Sequence, residues 1–388
     1  MRNERSDDRA RVSAWNIRTV DYHTAGEPFR IVPDLPFTIA GDSVIGRRSN
    51  AQTPGSDGDL LRRLLVNEPR GHADMYGGFI VPPNDDGAHF GVLFWHKDGF
   101  STACGHGTMA LGCWAVRSGL VPPDPSGVTR VVIDVPSGRV TATVRTTPGK
   151  EADTADAGGV SGVTFRNVPS SLTARDVPVT TAGFGAVRVD IVWGGATYAC
   201  VRASDLGLLV VPEQLTALIE AGRQVKASLK DHPAAQHPTD ARLDGVYGTI
   251  IYEDVGFEDI NSEDINSADM NSDDIISAGI DQEEPGRAAH PRSLAQRNVT
   301  IFADGQVDRS PCGSGTAARV AALDARGDLA HGATLEHYSI VGSRFSASVA
   351  GRRPDGVVVD VSGSAHAVGT SAFTLDPTDE LGLGFVLR

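Results

Sequence analysis

The sequence lacks a long apolar run and an apolar signal segment. No stretch of 18 or more apolar residues occurs, so no membrane-spanning helix is predicted. The opening MRNERSDDRARVSAW is polar and charged, unlike the core of a secretory signal. We therefore expect a soluble, cytoplasmic protein, and we predict that residues 1–16 form a disordered leader.

Cysteine is scarce, and its spacing excludes the common metal and redox motifs. The four cysteines are Cys104, Cys113, Cys200 and Cys312, and none belongs to a CxxC pair. No Cys/His spacing resembles a zinc site, so we predict no metal ligand and reduced thiols. Cys113 and Cys200 lie in the apolar settings LGCWAV and TYACVR, which predicts that both pack in a core.

Positive charge is absent from one long segment, which accounts for most of the net charge of −14. Residues 253–284 hold twelve Asp and Glu and no Lys or Arg, so the remainder carries only −2. This near-neutral balance does not indicate a nucleic-acid-binding surface. Within an acidic insertion at 253–297, a degenerate five-residue repeat covers 258–276, and we predict that it is solvated and disordered. A partner-binding role for this repeat stays an open alternative.

Alternating strand and helix patterns occupy the rest of the 388 residues, a length that favours two domains. A helix is predicted around Asp59–Val66, and a buried strand over His89–Phe100. Val128–Thr146 has the pattern of a hairpin, with its turn at Pro136–Gly138.

Two glycine-rich turns have matching sequences 208 residues apart, CGHGTMALGCWA from Cys104 and CGSGTAARVAAL from Cys312. Each follows a strand-rich stretch and opens a helical run. The match predicts one structural unit used twice, with two related halves facing each other. Neither turn ends in Gly-Lys-Ser/Thr, which excludes a phosphate-binding loop of that type.

The start of a helix offers unpaired N–H groups and the positive end of the helix dipole. A cysteine placed there is expected to have a lowered pKa, and neighbouring glycines let the backbone approach a carboxylate. Two such cysteines suit inversion of a carbon next to a carboxylate, because a thiolate removes the proton from one face and a thiol supplies one to the other. A redox dithiol pair or a non-catalytic role stays an alternative.

These stretches resemble the proline racemase family, which includes proline racemases, 4-hydroxyproline 2-epimerases and trans-3-hydroxy-L-proline dehydratases. The matching segments extend from about residue 19 to the C-terminus and include DYHTAGEPFRIV, NEPRGHADMYGGFIVPP, DIVWGGATYA, DRSPCGSGT, VGSRF and SGSAHAVGT. The resemblance implies a diaminopimelate-epimerase-like α/β fold, in which two pseudo-symmetric domains each wrap a curved sheet around a central helix. The first domain would comprise 17–180 and about 365–388, the second 181–364, with the active site in the cleft between them.

The resemblance also implies the site residues. Cys104 and Cys312 match the two catalytic positions, and Gly105 with His106 match a substrate-binding pair. Asp308 matches the acidic residue that meets the ring nitrogen. Gly313 and Ser314 match the pair that receives the carboxylate. The bland alternatives are a helix cap for His106, a turn former for Asp308 and an ordinary helix-start residue for Ser314.

The expected substrate is therefore proline or hydroxyproline, and no cofactor, nucleic acid or membrane partner is predicted; a homodimer stays open. The first half, including NEPRGHADMYG, is most similar to the dehydratases, whose second cysteine is typically replaced by threonine. Cys312 and VGSRF favour the racemases and epimerases. We therefore expect Cα inversion, with dehydration of trans-3-hydroxy-L-proline as the alternative.

Overall fold

The computed structural model describes residues 2–146, 159–256 and 293–387. The α-helices in these ranges are α1 Arg2–Ser13, α2 Val44–Ala51, α3 Asp57–Val66, α4 Gly105–Arg117, α5 Leu215–Ser228 and α6 Gly313–Arg326. Short 3₁₀ turns lie at Ala203–Leu206, Pro212–Gln214, Pro233–Ala235 and Ala241–Leu243. The strands are β1 Ile17–Thr24, β2 Glu27–Val32, β3 Gly77–Val81, β4 Phe90–His96, β5 Gly99–Phe100, β6 Val128–Val135, β7 Gly138–Thr146, β8 Val160–Arg166, β9 Ser171–Thr181, β10 Gly185–Trp193, β11 Thr197–Arg202, β12 Val246–Asp254, β13 Leu294–Phe302, β14 Gln306–Asp308, β15 Thr334–Ser339, β16 Arg344–Arg353, β17 Gly356–Gly363 and β18 Ala365–Phe373.

Strand pairing shows that the two halves repeat one topology. Neighbouring strands run in the order β18, β1, β2, β3, β4, β6, β7, β8 and then β17, β16, β15, β13, β12, β11, β10, β9. The pair β2–β3 is parallel, as is its counterpart β11–β12, and the parallel pair β4–β6 corresponds to β13–β15. The short strands β5 and β14 lie antiparallel to β4 and β13, immediately before α4 and α6. This correspondence confirms the two-half α/β architecture expected from the matched turns.

The strand β8 lies where the halves join, because it pairs with β7 on one edge and with β17 on the other. The strand Ser171–Thr181, whose residues up to 180 were expected in the first domain, pairs with β10 of the second half. By its backbone hydrogen bonds this strand is part of the sheet of the second half. At the other end of the chain, β18 returns to pair with β1 of the first half.

Each half packs its sheet around one central helix. The helix α4 contacts β1, β2, β6, β7, β8 and β18, whereas α6 contacts β9, β10, β11, β16 and β17. Because both helices are surrounded, their sequences are rich in alanine and glycine rather than amphipathic, and every residue of α4 before Arg117 is buried. On the outer faces, α5 covers the second half with its own core, while α2 and α3 cover the first.

The local predictions mostly hold. The hairpin forms as β6 and β7, with Val135 paired to Gly138 across the turn. The helix predicted around Asp59–Val66 begins at Asp57, because Ser56 caps it by accepting a hydrogen bond from the Asp59 N–H. The predicted strand His89–Phe100 is interrupted at its end by a turn, so that β5 folds back on β4.

The N-terminal prediction differs from the structure. Residues 2–13 form α1, where 1–16 was expected to be a disordered leader. Val12 is fully buried among the residues under α3, and Arg11 donates to the Gly55 carbonyl oxygen at 2.9 Å. A single buried valine and such polar contacts do not produce a periodic apolar pattern, so this segment carries no helical signal.

Most of the predicted acidic insertion, residues 257–292, lies outside the described residues. At its edges the structure extends the sheet, since 253–254 belong to β12 and 294–297 to β13. Asp254 and Gln296 are paired across these two antiparallel strands. Within the described ranges, no helix is long and apolar enough to cross a membrane.

Candidate active site

Both matched cysteines are the residues immediately before the central helices. Cys104 is the N-cap of α4, where its Sγ accepts a hydrogen bond from the Gly107 N–H at 3.2 Å. Cys312 is the N-cap of α6 and has a φ of 65°, a left-handed conformation that is strained for a residue with a side chain. The side chains are 5% and 6% exposed.

The starts of the two helices are in direct contact through glycine. A Cβ atom added to Gly105 would lie 2.6 Å from the Cα of Gly313, and one added to Gly313 would lie 2.7 Å from the Cα of Gly105. The second glycine of each turn leaves room for the thiol, because a Cβ at Gly107 or Gly315 would lie 2.7 or 2.9 Å from the Sγ before it. Thus Cys-Gly-x-Gly is required at both turns by the way they pack.

A narrow cavity of about 10 Å³ lies at this contact, and both thiols line it. Its lining residues are Tyr76, Ala103, Cys104, Gly105, His106, Tyr198, Tyr247, Phe302, Asp308, Cys312 and Ser314. Six of the seven residues predicted from the sequence are therefore on the cavity wall. The seventh, Gly313, touches Gly105 behind it. The structure thus brings the whole predicted set together.

His106 lies between Cys104 and Asp308. Its Nε2 is 3.4 Å from the Cys104 Sγ, and its Nδ1 is 3.5 Å from Asp308 Oδ2. The imidazole is held edge-on against Tyr76 and Phe29, at ring-centroid distances of 5.1 and 5.9 Å. The ring can therefore couple the first thiol to the carboxylate.

Asp308 also organises the turn that leads to the second thiol. Its Oδ1 accepts hydrogen bonds from the Ser310 N–H at 2.9 Å and from the Ser310 hydroxyl at 2.7 Å. The Ser310 Oγ in turn accepts from the Cys312 N–H at 3.1 Å. One oxygen of Asp308 therefore shapes the turn, as its turn-forming alternative predicts, while the other faces His106.

Tyrosine hydroxyls form the rest of the polar wall. The Tyr76 hydroxyl is hydrogen-bonded to that of Ser101 and lies 3.1 Å from the hydroxyl of Tyr247. Elsewhere on the wall, the Tyr198 hydroxyl is hydrogen-bonded to the Ser314 hydroxyl at 2.8 Å and lies 3.9 Å from the Cys312 Sγ. Hydroxyl groups can donate or accept, so this wall can adapt to a polar group on a ligand.

The ionisation of the thiols differs from the expectation. Burial raises the pKa of Cys104 and of Cys312 well above the usual value, and the charge of Asp308 raises both further. The N–H groups of Gly107 and Gly315 lower these pKa values, but they do not offset burial. The predicted lowering of the thiol pKa at the helix start is therefore wrong for the free protein.

The remaining cysteines lie away from the cavity, as predicted. Cys113 is fully buried in α4 and Cys200 is 3% exposed in β11. Burial raises the pKa of each thiol to about 12. Both are packing residues.

Comparison with known proteins identifies the family. The sequence profile described as proline racemase matches residues 19–270 and 260–386. The chain belongs to the proline racemase family. It is 36% identical to a trans-3-hydroxy-L-proline dehydratase from Colwellia psychrerythraea, covering 97% of this chain and 94% of the relative. It is 38% identical to a 3-hydroxyproline 2-epimerase from Burkholderia multivorans, covering 96% of this chain and 98% of the relative.

A solved member of the proline racemase family has the same fold. The hydroxyproline epimerase of Agrobacterium vitis, crystallised with trans-4-hydroxy-L-proline, superposes with a TM-score of 0.77 at 26% identity and covers 96% of both chains. The resemblance seen in the sequence and the fold that it implied are thereby confirmed. The protein is an enzyme.

The sequence did not single out the aromatic wall of this family member. Tyr76, Tyr198 and Tyr247 each lie within a segment that carried the resemblance or a predicted strand, but no spacing links them. The pairing of strands and turns that are distant in the sequence brings the three rings and Phe302 together. Tyr247 is stacked on Phe302 with 5.6 Å between the ring centroids. Their only signal was a tyrosine inside a matching motif.

Proposed function

We propose that the protein inverts the Cα centre of a hydroxyproline, using Cys104 and Cys312 as base and acid without a cofactor. One observation carries the proposal: the two thiols, on the matching starts of α4 and α6, line the same narrow cavity. A two-base inversion needs one proton acceptor and one proton donor on opposite faces of the carbon. In the reverse direction the two thiols exchange roles, which suits a matched pair.

The carboxylate of the substrate would be held where the helices meet. The first N–H groups of a helix have no acceptor within it, so those of Gly105, His106, Gly313 and Ser314 are available to an anion. A carboxylate there accepts hydrogen bonds from both halves of the protein. The same donors stabilise the negative charge that develops when the Cα proton leaves.

Asp308 would bind the ring nitrogen. Its carboxylate lies on the cavity wall and is 2% exposed, so a cationic ring nitrogen is the natural partner for its second oxygen. The charge of Asp308 also opposes formation of a thiolate in the free protein. A bound ammonium group offsets that charge, so substrate binding would favour thiolate formation.

A hydroxylated ring is favoured over proline by the hydroxyl groups of Tyr76, Tyr247 and Ser101. These hydroxyls are buried beside the cavity, where a ring hydroxyl can join their hydrogen-bond chain. A site built for a hydroxyl discriminates against an analogue that lacks it. The relatives described as acting on 3-hydroxyproline and the solved relative with bound trans-4-hydroxy-L-proline support the same substrate class.

Dehydration of trans-3-hydroxy-L-proline is the second candidate, because several relatives at 36–38% identity carry that description. In this reaction one thiolate removes the Cα proton, and the resulting thiol returns that proton to the 3-hydroxyl, which leaves as water. The enamine that remains tautomerises to a cyclic imine. The second face needs no acid. Cys312 is therefore the feature that favours inversion.

The test is incubation with L-proline, trans-4-hydroxy-L-proline and trans-3-hydroxy-L-proline in D2O, followed by NMR and chiral chromatography. We expect deuterium at Cα with inversion of a hydroxyproline, and slower turnover of proline. Formation of the cyclic imine without inversion would instead establish the dehydratase. Absence of exchange with all three substrates would contradict both candidates.

Replacement of the second thiol separates the two reactions. Cys312→Thr should lower the inversion rate by about 10²–10⁴-fold, the usual loss when a general acid–base group is removed. Dehydration would survive this change. Cys200→Ser is the matched control, because it removes a buried thiol outside the cavity. Inversion at the normal rate in Cys312→Thr would contradict the two-base assignment.

A further inference from the structure

The turn that carries Cys312 is held by carboxylates from the other half of the protein. Four backbone N–H groups in β14 and in the turn between β14 and α6 donate to side chains. The Val307 N–H donates to Asp74 Oδ1 at 3.2 Å, and the Arg309 N–H donates to Glu27 Oε2 at 2.7 Å. The Ser310 N–H donates to Asp308 Oδ1 at 2.9 Å, and the Cys312 N–H donates to Ser310 Oγ at 3.1 Å. Glu27 begins β2 and Asp74 precedes β3, so both belong to the first half.

Arg309 reinforces this contact between the halves. Its Nη2 donates to Asp74 Oδ2 at 2.8 Å, while its Nη1 donates to the Val307 carbonyl oxygen at 2.8 Å. Nearby, the Ser343 hydroxyl of the second half donates to the Ala25 carbonyl oxygen at 2.8 Å, beside Glu27 in the chain. The β1–β2 turn of the first half therefore binds the segment of the second half that precedes Cys312.

The strained backbone of Cys312 explains why these hydrogen bonds are needed. A non-glycine residue in the left-handed region costs about 1–3 kcal/mol and persists only where its surroundings impose it. Gly313 cannot impose the left-handed conformation on Cys312, because the contact with Gly105 requires Gly313 to have no side chain. The side-chain acceptors fix the backbone on the N-terminal side of Cys312 instead.

Glu27 is suited to this task because it is fully enclosed. Its side chain is 0% exposed, and Oε1 has no hydrogen-bond partner among the described residues. Burial, and then the charge of Asp308, raise the pKa of Glu27 well above its usual value, whereas Arg309 lowers it. A neutral acid can still accept the Arg309 N–H, so glutamine is a faithful replacement and methionine is not.

We propose that Glu27 and Asp74 are positioning residues, which fix the thiol of Cys312 on the face of the substrate opposite Cys104. The proposal rests on the proposed two-thiol inversion. It assigns a task to Glu27 of the motif DYHTAGEPFRIV: this motif of one half sets the geometry of the cysteine of the other. Neither residue lines the cavity.

The test compares Glu27→Met, Glu27→Gln and Asp74→Asn with Asp59→Asn. Asp59 is a buried carboxylate bonded to Arg62 at 2.5 Å in α3, away from the cavity, and it serves as the matched control. Glu27→Met and Asp74→Asn should lower kcat for inversion by about 10²-fold, because misplacing a catalytic group by about 1 Å has that effect. KM should change much less. Glu27→Gln should recover activity to within about threefold of the native enzyme.

Exchange without inversion separates positioning from general damage. With Cys312 displaced, the epimer whose Cα proton faces Cys104 still loses it and regains deuterium from the same side. Its ratio of exchange to inversion should rise at least about tenfold, while the other epimer shows no such rise. An equal fall of exchange and inversion for both epimers, or the same loss in Asp59→Asn, would overturn the proposal.

A readout that needs no turnover keeps this test independent of the proposed function. Iodoacetamide labelling of each thiol, followed by peptide mass spectrometry, should show a changed Cys312:Cys104 labelling ratio in Glu27→Met and Asp74→Asn but not in Asp59→Asn. An unchanged ratio would overturn the positioning role even if the substrate is a different one. If Glu27→Met fails to fold, as judged by circular dichroism, Asp74→Asn and Glu27→Gln decide the question.

Discussion

At the scale of single residues, two opposing effects act on the pKa of each thiol of the cavity. A helix start favours a thiolate through its N–H groups, and burial disfavours it through loss of water. Burial is the larger effect here, with Asp308 acting in the same direction. The free protein therefore holds both groups as neutral thiols at neutral pH, and a cationic substrate changes that balance.

The pH dependence of kcat/KM follows from these pKa directions. Inversion needs one thiolate and one thiol, and both pKa values lie well above the usual one. We expect kcat/KM to rise by about tenfold per pH unit from pH 6 into the alkaline range, because kcat/KM reports the ionisation of the free enzyme. The charge of Cys312 raises the pKa of Cys104, so activity should fall again only when the second proton is lost.

Initial rates between pH 6 and pH 10 check this expectation. Cys200→Ser should leave the profile unchanged, because the Cys200 thiol lies outside the cavity with a pKa raised to about 12. A rate that is flat from pH 6 to pH 9 would show that a thiolate is already present at neutral pH, contrary to the burial argument.

The residues of the cavity wall could be located from the sequence where chemistry and motif coincide. Cys104 and Cys312 stood out because matched turns placed each before a helix, and His106 and Asp308 followed from the family resemblance. The thiol pKa could not be predicted, because it depends on how completely the two halves exclude water. That property belongs to the packed cavity rather than to either turn.

At the scale of elements, the helix starts show why each turn has its glycines. Gly105 and Gly313 allow two backbones to touch, while Gly107 and Gly315 leave space for the thiols. At the sequence level these glycines were explained by approach to a carboxylate. The structure adds a second and stricter reason, since each glycine of the first pair is the other's neighbour.

Adding one methyl group at this contact tests its importance. Gly313→Ala should lower the free energy of unfolding by about 1–3 kcal/mol, because the Cβ would meet backbone that cannot rotate away. Activity should fall by at least about tenfold, since the separation of the thiols changes. Thermal or denaturant unfolding and kcat/KM measure the two effects.

Gly351→Ala is the control, because a Cβ there meets nothing within 4 Å and the backbone is not left-handed. This variant should match the native protein in stability to within about 0.5 kcal/mol, as surface substitutions usually do. Native activity in Gly313→Ala would show that the helices can separate without consequence.

Element prediction depended on whether the signal was local. The hairpin of β6 and β7 was predictable from its alternation and its Pro-Ser-Gly turn, and α3 from its apolar periodicity. The break between β4 and β5 was missed, although Lys97 and Asp98 interrupt the apolar run there. The N-terminal α1 was missed because its stability comes from contacts with α3 rather than from its own sequence.

At the scale of the whole molecule, the second copy of the topology contains an acidic segment that the first copy lacks. In the first half, β3 is followed by β4 after a few residues, whereas the corresponding strands β12 and β13 are separated by 255–293. The ends of β12 and β13 are nevertheless paired, from Gly248 with Phe302 to Asp254 with Gln296. The flanking strands therefore form a complete hairpin on their own.

Shortening this connection should leave catalysis intact. Deleting residues 258–276 is expected to preserve kcat/KM within about twofold and the unfolding free energy within about 1 kcal/mol, because loop-closure entropy changes slowly with length. Activity assays and denaturant titration of the shortened protein check both values. A large loss of turnover would instead support the alternative that this segment binds a partner needed for function.

The pairing of β8 on both of its edges restricts how the two halves can move. Separation in the plane of the sheet would break a complete ladder, either with β7 or with β17. Rotation of one half about the long axis of β8 strains far fewer of these hydrogen bonds. Any widening of the cleft is therefore an angular change, and the distance between the two sulfur atoms becomes a measure of that angle.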